Sequence, residues 1–168
     1  MDVPPETPPE QDRSVLGLVS SVVAMIGGAL AFALAVLVTT SVLMRWLFDA
    51  PVPGDFEFVQ MGTALIVFAY LPFCQMQRGN IIVDAFTGRL SDRARARIDA
   101  LWDVVYAVVI GVIAYAMVQG VIDAWNSGEE TMVSRIRLWP ALAICTTLAA
   151  FLSLCALYTA ARLLRSAR

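Results

Sequence analysis

The chain has 168 residues, 59% of them hydrophobic, with a mean hydropathy of +0.72 and a formal net charge of −2. Soluble domains are nearer half apolar, so the composition points away from a soluble globular fold, greasy helical bundles included. The twelve cations are all arginine and there is no histidine, which excludes imidazole metal ligands, histidine general bases and bis-histidine haem ligation; with no basic, aromatic-studded stripe, nucleic acid is not a partner either.

Residues 1–13, MDVPPETPPEQDR, are acidic and proline-rich and read as a disordered tail. They lack the positive charge that opens a signal peptide, and the apolar run that follows is too long for a signal core. Residues 14–165 then read as one membrane domain. Its apolar runs, roughly 16–43, 57–77, 97–124 and 139–161, each approach or exceed the about 20 residues a helix needs to cross the hydrocarbon core. Backbone amides in lipid must be satisfied within their own segment, so each run is expected to be a helix. The predicted fold is an all-α integral membrane protein with four transmembrane helices.

The first span carries no ionisable group, and Gly27, Gly28, Ala31 and Ala35 give it a small face. Such a face serves either a partner helix or packing inside the chain. The span ends at Met44-Arg45-Trp46, and a loop with Asp49, Pro51, Pro53, Gly54 and Asp55 turns the chain. The second span starts near Phe56-Glu57 and holds Pro72, where a kink is expected.

An arginine-rich stretch follows, with Arg78, Arg89, Arg93, Arg95 and Arg97. Ile81, Ile82, Val83, Ala85 and Phe86 within it suit the headgroup region, with the arginines facing phospholipid phosphate. Ser91-Asp92 is a good helix start, and the helical pattern runs to about Trp125. Arg95, Asp99 and Asp103 share a face at i, i+4 spacing, which a solvated or headgroup-level position explains. The polar segment 126–138 emerges on the far side. Trp139-Pro140 opens the last span, with proline in the first turn where its missing donor does no harm.

Arginine placement sets the orientation. The tail, the 78–97 stretch and the C-terminus hold nine (one, five and three); the two opposite loops hold three, Arg45, Arg135 and Arg137. Both termini are therefore expected in the cytoplasm. Trp46, Trp125 and Trp139 then mark the outer interface, and Trp102 with Tyr158 the inner one.

Cys74, Cys145 and Cys155 lie in apolar runs without CxxC spacing and read as small buried hydrophobes, with no metal or redox site. The interiors of the spans read as free of Asp, Glu, Lys, Arg and His; their polar groups are Gln60, Gln75, Gln119 and scattered Ser and Thr. Transporters and proton relays need ionisable groups along their pathways. No nucleophile–base pair is visible. The chain therefore reads as a non-enzyme, without cofactor, that holds or orients something else in the membrane.

Four features together resemble the small membrane subunit of tripartite ATP-independent periplasmic (TRAP) transporters, the DctQ-like family. Arg45-Trp46-Leu47-Phe48 ends the first span. Asp55 and Glu57 enter the second. That span runs into Gln77-Arg78-Gly79-Asn80-Ile81-Ile82-Val83-Asp84. Trp139-Pro140 follows Glu130-Thr131-Met132. The resemblance covers about residues 16–165. It implies an inner-membrane protein that binds a large multi-span subunit and works with a periplasmic substrate-binding protein in sodium-coupled import of organic acids. Under that implication Arg45, Asp49, Asp55, Glu57, Glu129, Glu130, Arg135 and Arg137 face the binding protein, and Gly27, Gly28, Ala31 and Ala35 pack on the large subunit. Arg78, Gly79, Asn80 and Asp84 form a cytoplasmic corner or a contact with the large subunit or lipid. A homo-oligomeric exporter or channel, and the membrane anchor of another complex, are the alternatives.

Overall fold

The computed structural model describes residues 14–77 and 92–166. The acidic tail, the corner residues Arg78, Gly79, Asn80 and Asp84, the apolar patch beside them and the Arg95 side chain lie outside the described residues.

Four helices account for the described chain: α1 (Val15–Phe48), α2 (Asp55–Met76), α3 (Asp92–Ser127) and α4 (Trp139–Ser166). Each is long and apolar enough to cross a membrane. Their lengths differ in a way that matters. With 22 residues, α2 measures about 33 Å, close to the about 30 Å of a bilayer core. The 34 residues of α1 and 36 of α3 give about 50 Å each, so these two must tilt or protrude.

Local chemistry fixes the helix ends. Ser14 Oγ accepts from the Gly17 amide at 3.1 Å and caps α1. The α1 helix continues past the expected stop at Met44–Trp46 to Phe48. There Asp49, left-handed at φ 52°, donates its amide to the Arg45 carbonyl and ends the helix. Gly128 at φ 65° follows α3 in the same manner. The expected α3 start at Ser91-Asp92 falls at the edge of the described residues, which resume within α3 at Asp92. Pro72 is fully buried and α2 runs through it to Met76 as one element.

Among the described residues the packed pairs are α1 with α2, α2 with α4, and α4 with α3. The helices thus stand in the order α1-α2-α4-α3. This is an open row, and its outer members α1 and α3 rest chiefly on α2 and α4 respectively.

Small side chains line the contacts. On α4 the buried positions Cys145, Ala149, Leu152, Ala156, Thr159 and Leu163 alternate by four and three; on α3 Ala100, Ala107 and Ala114 recur every seven. That is the seam period of helices crossing at a shallow angle. On α1 the buried set is Gly17, Ser20, Ala24, Gly27 and Ser41; Gly27 lies against Ala69 of α2, and Gly62 of α2 against Leu34. A Cβ on Gly27 would lie 3.0 Å from Ala69 Cβ, and one on Gly28 would lie 3.0 Å from the Tyr70 hydroxyl. Both glycines therefore face α2 within the chain, whereas Ala35 is exposed.

Cys145 and Cys155 are buried, as their composition suggests, but Cys74 is exposed on α2. An open row leaves each helix with a lipid-facing side, and Cys74 falls on one.

Gly27→Leu should drive a side chain into Ala69 and lower stability by about 1–3 kcal/mol, the usual cost of overpacking. Thermal unfolding in mild detergent reads this out. Gly120, where a Cβ would meet nothing within 4 Å, provides the control substitution to leucine.

Candidate functional site

The polar residues singled out by the sequence collect at the end of the row where α1 meets α2 and α3 meets α4. Three structures build that end.

The first is a knot around Ser41. This hydroxyl is buried inside α1, accepts the Val52 amide at 3.2 Å and donates to the Asp55 carboxylate. Asp55 also accepts the Phe56 amide at 2.7 Å, and Arg45, one turn beyond Ser41, supplies positive charge near it. One serine thereby joins a helix, the 49–54 loop and the start of the next helix.

The second is a short hairpin between α3 and α4. Glu130 and Arg137 pair as an isolated antiparallel bridge. The Thr131 amide donates to the Ile136 carbonyl at 2.9 Å and the Leu138 amide to the Glu129 carbonyl at 3.1 Å. Thr131 Oγ1 accepts the Ile136 amide at 3.0 Å, and Arg135 takes the left-handed turn position at φ 50°. At the roots of the hairpin Trp125 and Trp139 meet edge to face, ring centroids 4.6 Å apart.

The third is a clasp that binds hairpin to helix. Glu57, in the first turn of α2, accepts the Val133 amide at 2.7 Å on one oxygen and the Ser134 amide at 2.9 Å on the other. The Thr131 and Ser134 hydroxyls face the same carboxylate. Gly54 makes the approach possible: it sits at φ 75°, and a Cβ there would lie 1.9 Å from Ser134 Oγ. Only glycine serves both the backbone angle and the space.

Of the eight charged residues placed at this end, Asp55 and Glu57 are half-buried and engaged within the chain. Arg45, Asp49, Glu129, Glu130, Arg135 and Arg137 are exposed there. Ser41, Gly54, Thr131, Val133 and Ser134 carry no functional mark in the sequence reading.

At the opposite end the structure corrects the sequence reading. Asp103 was expected on a solvated face, with the span interiors free of ionisable groups. Instead Asp103 is half-buried within the span that begins at Arg97, and the Gln75 amide, 2% exposed, donates to it at 3.0 Å. The buried amide requires an acceptor, and the carboxylate of α3 provides it.

The described residues contain no group of three or more His, Cys, Asp or Glu able to hold a metal. The geometry is that of clasps and seams, placed on four helices of membrane length.

Residues 34–167 match the family described as tripartite ATP-independent periplasmic transporters, DctQ component. The chain belongs to the DctQ family. It is accordingly an inner-membrane protein and a small membrane subunit of a TRAP transporter. No curated protein and no solved structure matches it. The family match takes in the Ser41 knot, the Glu57 clasp, the hairpin and the whole α3–α4 seam; it begins beyond Gly27, Gly28 and Ala31.

Glu57→Ala should free the hairpin from α2. Hydrogen exchange at the Val133 and Ser134 amides should accelerate by about tenfold or more, since each loses a charge-assisted bond. Amides in the middle of α4 should keep their protection. Unchanged exchange at 133 and 134 would show that the clasp does not hold in the membrane.

Proposed function

We propose that the chain is the static scaffold of a TRAP importer. It binds the large multi-span subunit and extends the frame against which the transport domain moves, in sodium-coupled uptake of organic acids such as dicarboxylates or sugar acids. The open row supports this reading best. Its flanking helices present long apolar faces, Met25, Ile26 and Phe32 on α1 among them, and a second membrane protein has room to pack there. The small residues of α1 are partly committed within the chain. Gly27 and Gly28 lie against α2, so docking on the large subunit falls to the neighbouring exposed side, which includes Ala35.

Both termini lie in the cytoplasm on this reading, as the nine-to-three arginine distribution requires. The Ser41 and Glu57 clasps then stand at the periplasmic end. The exposed Arg45, Asp49, Glu129, Glu130, Arg135 and Arg137 form the rim that meets the substrate-binding protein. Such a rim steers a partner and sets register more than it sets affinity.

A tagged chain purified under gentle detergent should bring down a large membrane subunit. Vesicles holding both subunits, with binding protein outside and a sodium gradient, should take up organic acid, whereas vesicles holding this chain alone should not. Recovery of the chain without a membrane partner, or flux through the chain alone, would refute the scaffold role, the second result in favour of an independent exporter.

A further inference from the structure

The Glu57 clasp fixes the hairpin at a definite depth. Val133 is bonded through its backbone to the third residue of α2, at 2.7 Å. That helix is only about 33 Å long, barely a bilayer core, so its first turn must sit at the hydrocarbon edge. The tip of the hairpin is therefore laid at the hydrocarbon edge and does not stand clear in water.

The two leading side chains of the tip are apolar and unshielded. Met132 is 98% exposed and Val133 62%. The charged residues Glu129, Glu130 and Arg137 occupy the two legs, and Arg135 closes the turn two residues beyond Val133, within headgroup reach. The helix mouths at this end carry exposed aromatics, Trp46, Phe48, Phe56 and Trp125. An apolar point with charged shoulders, at the level of an aromatic belt, is the pattern of an element seated in the membrane interface. In the row α2 packs along α1 and α4, and it meets α3 at the far end, where Gln75 bonds Asp103. Among the described residues none covers the tip, as the exposure of Met132 and Val133 shows.

We propose that the α3–α4 hairpin is a lipid-interface anchor: Glu57 holds it flat, and Met132 with Val133 enters the boundary between headgroups and acyl chains. The clasp matters here because an unfastened loop would lose conformational freedom on insertion, and a pre-ordered one loses little. The proposal needs only that the helices span a bilayer and is independent of what binds the large faces of the row.

The test places a fluorophore at the tip. Met132→Cys, in a Cys74→Ser background that removes the exposed native thiol, is labelled with an environment-sensitive nitrobenzoxadiazole group. The full chain is then assembled in nanodiscs of palmitoyl-oleoyl phosphatidylethanolamine and phosphatidylglycerol. Glu129→Cys on the hairpin leg is the reference. The tip label should emit at shorter wavelength than the leg label, and lipids brominated high on the acyl chain should quench it at least about twofold more, as an inserted tip requires. Equal, water-like emission and equal quenching at both positions would overturn the proposal. So would a tip signal that turns apolar only when the large subunit or the binding protein is added, since that assigns the tip to a protein contact.

Discussion

Helices in lipid have no hydrophobic reason to associate, because the solvent is as apolar as their side chains. What holds this chain together has to come from close approach and from the few polar groups that find each other. The seams meet the first need. Ala100, Ala107 and Ala114 on α3 face an α4 surface of Cys145, Ala149, Leu152 and Ala156, and Gly27 meets Ala69 between α1 and α2. Small side chains let backbones come near enough for many weak dispersion contacts to accumulate. Ser153 adds one direct link, donating to the Ala107 carbonyl of α3 at 2.8 Å. Several other helix hydroxyls turn inward on their own helices: Ser20 bonds the Gly17 carbonyl, Thr146 that of Leu142 and Thr159 that of Cys155. They are satisfied without a partner helix, as lipid demands.

Side-to-side packing alone leaves the row weakly braced, since the α1–α2 pair reaches the α3–α4 pair through α2 against α4. The end clasps complete the frame. Ser41 ties α1 to the start of α2, and Glu57 ties that same start to the α3–α4 hairpin. Both carboxylates sit where a span begins, a place where an unpaired charge is expensive. Each spends its charge on donors from a distant segment. The acids that look in the sequence like a docking surface thus hold this end of the chain in shape, and the charges around them are the exposed ones.

The four spans were legible because they follow from length and apolarity alone, and the opening of α4 at Trp139-Pro140 was legible because proline suits a first helical turn. The row was not. Every helix contains enough Gly, Ala, Ser and Cys to offer several small faces, and one sequence does not say which face meets which helix. Gly27 and Gly28 illustrate this: the face was found, but its partner, Ala69 and Tyr70 of α2, was not. The clasp was hidden for a different reason. Its donors are backbone amides of Val133 and Ser134, and an amide carries no sequence mark. Glu57 and its partner Ser134 are 77 positions apart, so only the fold brings them together.

The acid at Asp103 bears directly on the scaffold reading, since an ionisable group inside a span is by default a candidate for a transport path. Its position argues against that role. It stands opposite Gln75, one residue before α2 ends at Met76, so it lies near the end of a helix of about 33 Å and well short of mid-depth. Its carboxylate accepts from the buried Gln75 amide near the end of α2. A coupling site would sit near the bilayer midplane, where broken helices expose backbone to an ion; here α2 and α3 both run through unbroken. Asp103 joins two helices near their ends, as Asp55 and Glu57 join segments at the other end. The polar chemistry of this chain is concentrated where helices stop, and the lipid-depth region between is left to packing. That distribution suits a component whose task is to keep its shape while something beside it moves.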